Sequence, residues 1–297
     1  MFSLASFLVI AITVVQGFTP LPPNAQLTTS STSTSLHKTL KDLVDDAKDM
    51  VDDAVEGVEN VFKREEIKQE ILQLGASYDR GFGASPRVRN KVNNVIADLE
   101  FLNQEKNASR FISGPEMVMD ITETNTTSGN STTMMVSKSK EKTSPLTGNW
   151  RLIWTTASDV LILGANPFVT VGPIYQLFDP PIVTNVIDLL PRIQNLFPPS
   201  MVQGSLLRAK VQTRASKRTD PMRIGLDFES VKLSPVELLG QDVGSLPPLG
   251  FDLPKLSELQ DDVGFFDVTF LDDEMLIIRQ NQPGGLFVLA KVEDTDP

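Results

Sequence analysis

Between Gly264 and Lys291 the chain runs Gly-Phe-Phe-Asp-Val-Thr-Phe-Leu-Asp-Asp-Glu-Met-Leu-Ile-Ile-Arg, then Gln-Asn-Gln-Pro-Gly-Gly, then Leu-Phe-Val-Leu-Ala-Lys. Three short runs of β-branched and aromatic residues are separated by an acidic break at Asp272 to Glu274 and by a turn-forming Asn, Pro and paired Gly. This predicts a three-stranded meander. Side chains alternate faces along a strand, so Phe266, Val268 and Phe270 are expected on one face and Asp267 and Thr269 on the other. One face is therefore built to be covered.

Composition narrows what such a sheet can serve. The 297 residues are 40% apolar, enough for a sizeable core. The net charge of -11 opposes general nucleic-acid binding, which needs surplus Lys and Arg. Cysteine is absent and His37 is the only histidine, which removes thiolate metal sites, disulfides and the commonest hydrolytic designs. No cofactor is expected.

Residues 1–17 read as a signal peptide, uncharged and apolar from Leu4 to Val15, too short to span a membrane, with cleavage expected after Gly17. Residues 18–38 open with Phe18 and continue into an acid-free Ser/Thr/Pro tract of transit-peptide composition; an ordinary secreted protein with a disordered start is the alternative. Residues 39–62 read as an acidic amphipathic helix. Leu40, Leu43, Ala47, Met50, Ala54, Val58 and Val61 recur at helical spacing, opposite Asp42, Asp45, Asp46, Asp49, Asp52, Asp53, Glu56 and Glu59. That helix either adheres to a lipid or partner surface, or packs on the core or projects into solvent.

Helical spacing continues through Ile67, Ile71 and Leu74, where Gly75 is expected to end the helix. A second helix is expected from Pro86 to about Asn103, capped by Ser85. The polar stretch 104–144 reads as an insert or linker, with acceptor tripeptides for glycosylation at Asn107, Asn125 and Asn130 that also arise by chance in such a tract. Trp150, Leu152 and Trp154 alternate on the next strand, Ser158 to Phe168 forms an apolar loop or short helix able to act as a lid, and a strand follows from Val171 to Asp179. A short helix is expected within Pro180 to Pro199 and a hairpin from Ser205 to Glu229. The hairpin's Arg and Lys residues meet anionic lipid or pair with neighbouring acids. Val231 to Asp262 reads as a long connection with little regular structure.

Several of these stretches resemble the plastid lipid-associated protein family, the fibrillins. Gly264, Asp267, Thr269, Leu271, Asp272, Arg279 and Gly285 to Leu289 fit its C-terminal signature. Leu146-Thr147-Gly148-Asn149-Trp150-Arg151-Leu152 resembles its first strand, and Tyr175-Gln176-Leu177-Phe178-Asp179 a later one. The chain departs from the pattern at Phe265, Phe270 and Leu276, where the family often has Trp, Tyr and a second Arg. The resemblance implies a fibrillin-like domain over 63–293, interrupted by the insert, in a chloroplast stromal, plastoglobule or thylakoid protein reached through a two-part presequence.

The expected fold is α+β, N-terminal helices followed by a lipocalin-like antiparallel β-barrel or half-barrel. Through the resemblance, the expected function is binding or carrying isoprenoid lipids, quinones, carotenoids or fatty acids. The alternative is a structural coat on plastid lipid bodies, and an enzyme using Asp267, Asp272 and Arg279 ranks last. The candidate ligand-binding residues are Trp154, Gln176, Phe178, Arg279 and Phe287, with the aromatic rings around a lipid tail and Arg279 at a polar head. Alternatively Arg279 faces outward and pairs with Asp267 or Asp272. The partners expected are a hydrophobic small molecule or lipid and a plastid lipid body or thylakoid surface, with no nucleic acid and no span in the mature chain.

Overall fold

The computed structural model describes residues 40–120, 138–192, 204–252, 264–281 and 284–293. The signal and transit segments and the acceptor sites at Asn125 and Asn130 lie outside the described residues. The described chain is mostly antiparallel sheet with three helices, and the sheet is partly ring-like.

The acidic segment and its successor form one helix, α1 (Leu40–Ser77). Gly75 lies inside it and does not end it, contrary to the sequence expectation. A Cβ at Gly75 would sit 2.6 Å from the Ile153 carbonyl oxygen, so this glycine serves close approach of helix to strand. After a turn at Asp79–Gly81, α2 (Pro86–Phe101) begins as expected, with Ser85 accepting a hydrogen bond from the Val88 N–H at 3.4 Å and Pro86 in its first turn.

The polar stretch is only partly linker. Its first residues fold, burying Ala108 and Ile112, and the Ser109 N–H donates to the Pro221 carbonyl at 2.9 Å. A small hairpin, β1 (Glu116–Asp120) with β2 (Lys138–Lys142), follows.

The main sheet contains β3 (Gly148–Thr155), β4 (Val169–Asp179), β5 (Ile182–Pro191), β6 (Leu206–Lys217), β7 (Arg223–Leu238), β8 (Gln241–Asp242), β9 (Leu249–Asp252), β10 (Phe265–Leu271), β11 (Met275–Gln280) and β12 (Gly285–Val292). The expected meander is β10 to β12. Successive strands pair from β3 to β7, β12 pairs β3, and Phe265 to Asp267 of β10 pair with Arg223 to Gly225 of β7. The path of pairing thus returns to its start. Two expectations fail here. Ile182–Pro191 is strand and not helix, because β-branched residues at Ile182, Val183, Thr184, Val186 and Ile187 suit an extended chain, and residues 193–199 of the expected helix region lie outside the described residues. The supposed irregular connection after Val231 instead continues β7 to Leu238 and then supplies β8, which pairs with the end of β7, and β9, which pairs with Ser230 to Leu233, as far as the described residues reach.

Two apolar cores form among the described residues. One lies inside the ring and includes Trp150, Leu152, Phe178, Val183, Ile224, Phe266, Val268, Leu276, Ile278 and Leu289. The other lies between the ring's outer face and the helices, where Ile67, Ile71, Val92, Ile96 and Leu99 meet Trp154, Phe270, Met275, Ile277, Leu286 and Val288. β11 serves both, so Met275 to Ile278 are all buried.

Candidate functional site

Strand alternation predicts one shared face for the aromatic residues of β3 and of β10. Irregular pairing divides them. Leu289 pairs with Leu152 and Val288 with Trp154, so Ile153 is the extra residue of a bulge and Trp154 turns away from the interior. The same shift between Val268 and Phe270 sends Phe270 to the helix side while Phe266 and Val268 stay within. Trp154 is fully buried among helix residues, and its Nε1 has no hydrogen-bond partner. Trp150 faces the interior and donates from Nε1 to the Leu146 carbonyl at 2.8 Å.

Three candidate residues do share the interior side. Gln176 is 7% exposed and stands opposite Trp150 in register, two residues before Phe178. Phe178 meets Phe266 edge-on, centroids 6.4 Å apart. Phe287 is half-buried against the same core.

Arg279 does not join them. Its Nε and Nη2 donate to the two Glu100 carboxylate oxygens at 2.7 and 2.6 Å, and Glu100 also accepts from the Thr269 hydroxyl. These hydrogen bonds raise the guanidinium pKa further, against the opposing effect of burial. Arg279 therefore faces outward, as the alternative held, but its partner is Glu100 of α2 and neither of the acids proposed for it. Asp267 pairs with Arg223 at 2.7 Å, and Asp272 with Lys68 at 3.1 Å. The three groups weighed for catalysis thus sit in separate ion pairs. Lys68, 4% exposed, also holds Glu274 at 2.6 Å and Glu65 at 2.7 Å. Burial acts to lower its pKa, but its hydrogen bonds to Glu274, Glu65 and Asp272 outweigh that and hold the ammonium above its ordinary range. No group of three or more potential metal ligands occurs among the described residues.

The basic hairpin of β6 and β7 is cross-paired in the same way: Arg208 with Asp188 at 2.7 Å and Arg214 with Glu229 at 2.6 Å. A surface groove of about 490 Å³ lies at the opposite end of β3 from the lid helix, lined by Gly148, Asn149, Asp273, Glu274 and Lys291, and holds none of the candidate residues.

The end of the ring where β3 finishes has a different character. The anticipated lid is a short helix, α3 (Ser158–Gly164), whose Val160 and Leu163 pack on the interior core beside Phe82. Phe82 is delivered by the Arg80-Gly81 turn. Gly81 has φ +99°, and a Cβ there would lie 2.4 Å from the Thr155 carbonyl oxygen, so only glycine fits. Arg80 ties this turn to β4 by donating to the carbonyls of Val171 and Gly172. Asp159, at the start of α3, has a buried Oδ1 without a partner, and burial raises its carboxyl pKa.

Around this end, apolar side chains face solvent. Ile162 and Phe168 are 65% and 64% exposed; Leu238 and Leu239 stand at the end of β7, and Leu246, Leu249 and Phe251 on the flap beyond it. Hydrogen bonds link the rim: the Arg192 N–H donates to the Phe168 carbonyl at 2.7 Å, and the Gly240 N–H to the Gly204 carbonyl at 2.8 Å. The sequence showed apolar residues here, but their exposure follows from the topology that brings separate loops to one end.

No described helix is long and apolar enough to cross a membrane. No curated protein and no solved structure gives a significant match to the chain. The PAP_fibrillin family model matches residues 130–290, which takes in β3 to β11 and nearly all of β12. This match covers more than half of the chain, and the chain belongs to the PAP/fibrillin family of plastid lipid-associated proteins.

Proposed function

We propose that the protein attaches to the surface of plastid lipid bodies or thylakoids through the apolar rim at the end of β3. The exposed rim carries this reading: Ile162, Phe168, Leu238 and Leu239 together form an apolar edge of the kind that marks a lipid or protein contact. Flotation with neutral-lipid droplets tests it. The chain should float, and the Ile162→Asp, Phe168→Asp double variant should stay in the soluble fraction with an unchanged melting curve. Equal flotation of both proteins overturns the reading.

A second reading keeps an internal ligand, and the shared orientation of Gln176, Phe178 and Phe287 favours it. In that reading the ring is a lipocalin-like barrel, with a quinone, carotenoid or fatty acid entering past α3. Titration with a plastid quinone should quench Trp fluorescence, and Phe178→Ala should alter the affinity. An absence of quenching with every plastid lipid tried favours the coat role.

For delivery we propose the two-part presequence. A reporter behind residues 1–38 should reach the plastid, and Phe18→Ala should divert it; secretion of the unaltered fusion counts against the proposal.

A further inference from the structure

The surroundings of α1 change between Phe62 and Ile67. From Ile67 onward it lies on the sheet, whereas Val55, Val58, Val61 and Phe62 are all exposed, Phe62 by 71%. Spacings of three and four place those four residues on one side of the helix. The sequence carries the same apolar pattern back to Leu40 within the same helix.

An isolated helix is marginal in water, and this one also contains Gly57. A long helix that leaves its core with an uncovered apolar stripe is half of a helix–helix contact. Charge selects the other half. Leu40 to Phe62 holds eight acids against Lys41 and Lys48. An anionic lipid surface is repelled by such a face, and interfacial helices use Lys and Arg instead. A second α1 would set acids against acids along the flanks of the stripe. A partner with basic flanks meets neither obstacle.

We propose that the exposed stripe of Val55, Val58, Val61 and Phe62 on α1 is a docking site for an amphipathic helix of another protein, with an apolar stripe flanked by Lys and Arg. This inference stands apart from the lipid-facing rim, which uses other residues at another place on the molecule.

The test uses the full chain and a fluorescent synthetic helix of about 21 residues with Leu on one face and Lys on its flanks, read by anisotropy. A second peptide carries Glu for Lys, and a third carries Ser for Leu. Only the first should bind well, with both controls at least about tenfold weaker. The Val58→Asp, Phe62→Asp double variant should weaken the first peptide by about tenfold while leaving thermal unfolding unchanged. Equal binding of the Ser peptide, or no loss in the variant, reduces the effect to bulk charge and overturns the proposal. A dimer seen by sedimentation and abolished in the variant assigns the stripe to a second copy instead. Flotation lost in this variant, with the rim intact, assigns it to lipid.

Discussion

Trp150 and Trp154 stand four residues apart on one strand, both fully buried, yet they belong to different cores. Trp150 points into the ring and its indole N–H is satisfied. Trp154 points to the helices and its N–H is not. The two indoles are separated by one extra residue, Ile153, and the comparison shows that a single bulge converts one apparent stripe into two packing layers.

The largest expected effect comes from Trp154→Ala, with a loss of about 4 kcal/mol in denaturant unfolding, since the helix layer closes over this side chain. A loss under about 1 kcal/mol would show that the helices do not depend on it.

Lys68→Met tests how the helix layer is held by charge, and should cost about 2 kcal/mol, tempered because Glu65 and Glu274 remain largely in solvent. The folded-state pKa of Lys68 is raised, so its contribution is fully present below the unfolded value of 10.5 and is lost as pH rises through the higher folded value. The difference between wild type and variant should therefore persist from neutral to mildly alkaline pH and shrink only in strong alkali. Shrinkage already near neutrality would rule out the buried ammonium as its source.

Smaller effects sharpen the contrast between the two indoles. Trp150→Phe leaves the Leu146 carbonyl without its donor and should cost about 1 kcal/mol more than Trp154→Phe, which removes an N–H that had no partner. The reverse order in paired melts would refute that account. Arg279→Leu breaks a two-bond pair with Glu100 that is open to water on the Arg side, and should cost about 1 kcal/mol or less, vanishing in high salt. A salt-independent loss would place Arg279 in a different role.

These cases also mark how far the sequence could be read. The meander from Gly264 and the Ser85 cap were legible, since each rests on local pattern. The bulges at Ile153 and Thr269 were not, because an extra residue in a strand depends on the partner strand and not on its own side chains. β5 was misread as helix because a short apolar run fits both periods until its β-branched content is weighed. Among the candidate site residues, Gln176, Phe178 and Phe287 lie on one side of the sheet and Trp154 on the other. Arg279 could not have been matched to Glu100 from spacing, since the two lie 179 positions apart and meet only when α2 settles on β11.

The seam between β3 and β12 also governs how the chain must be made. The Leu286 N–H donates to the Thr156 hydroxyl across 130 positions, and the neighbouring rungs join segments equally remote. During synthesis β3 emerges early and keeps a bare edge until the last strand is released, so the sheet passes through a long interval with unpaired backbone on offer. A message that stops before Gly285 leaves the edges of both β3 and β11 unsealed. Such products should clump or be degraded, and even a short C-terminal loss will weigh more on the yield of soluble protein than its length implies.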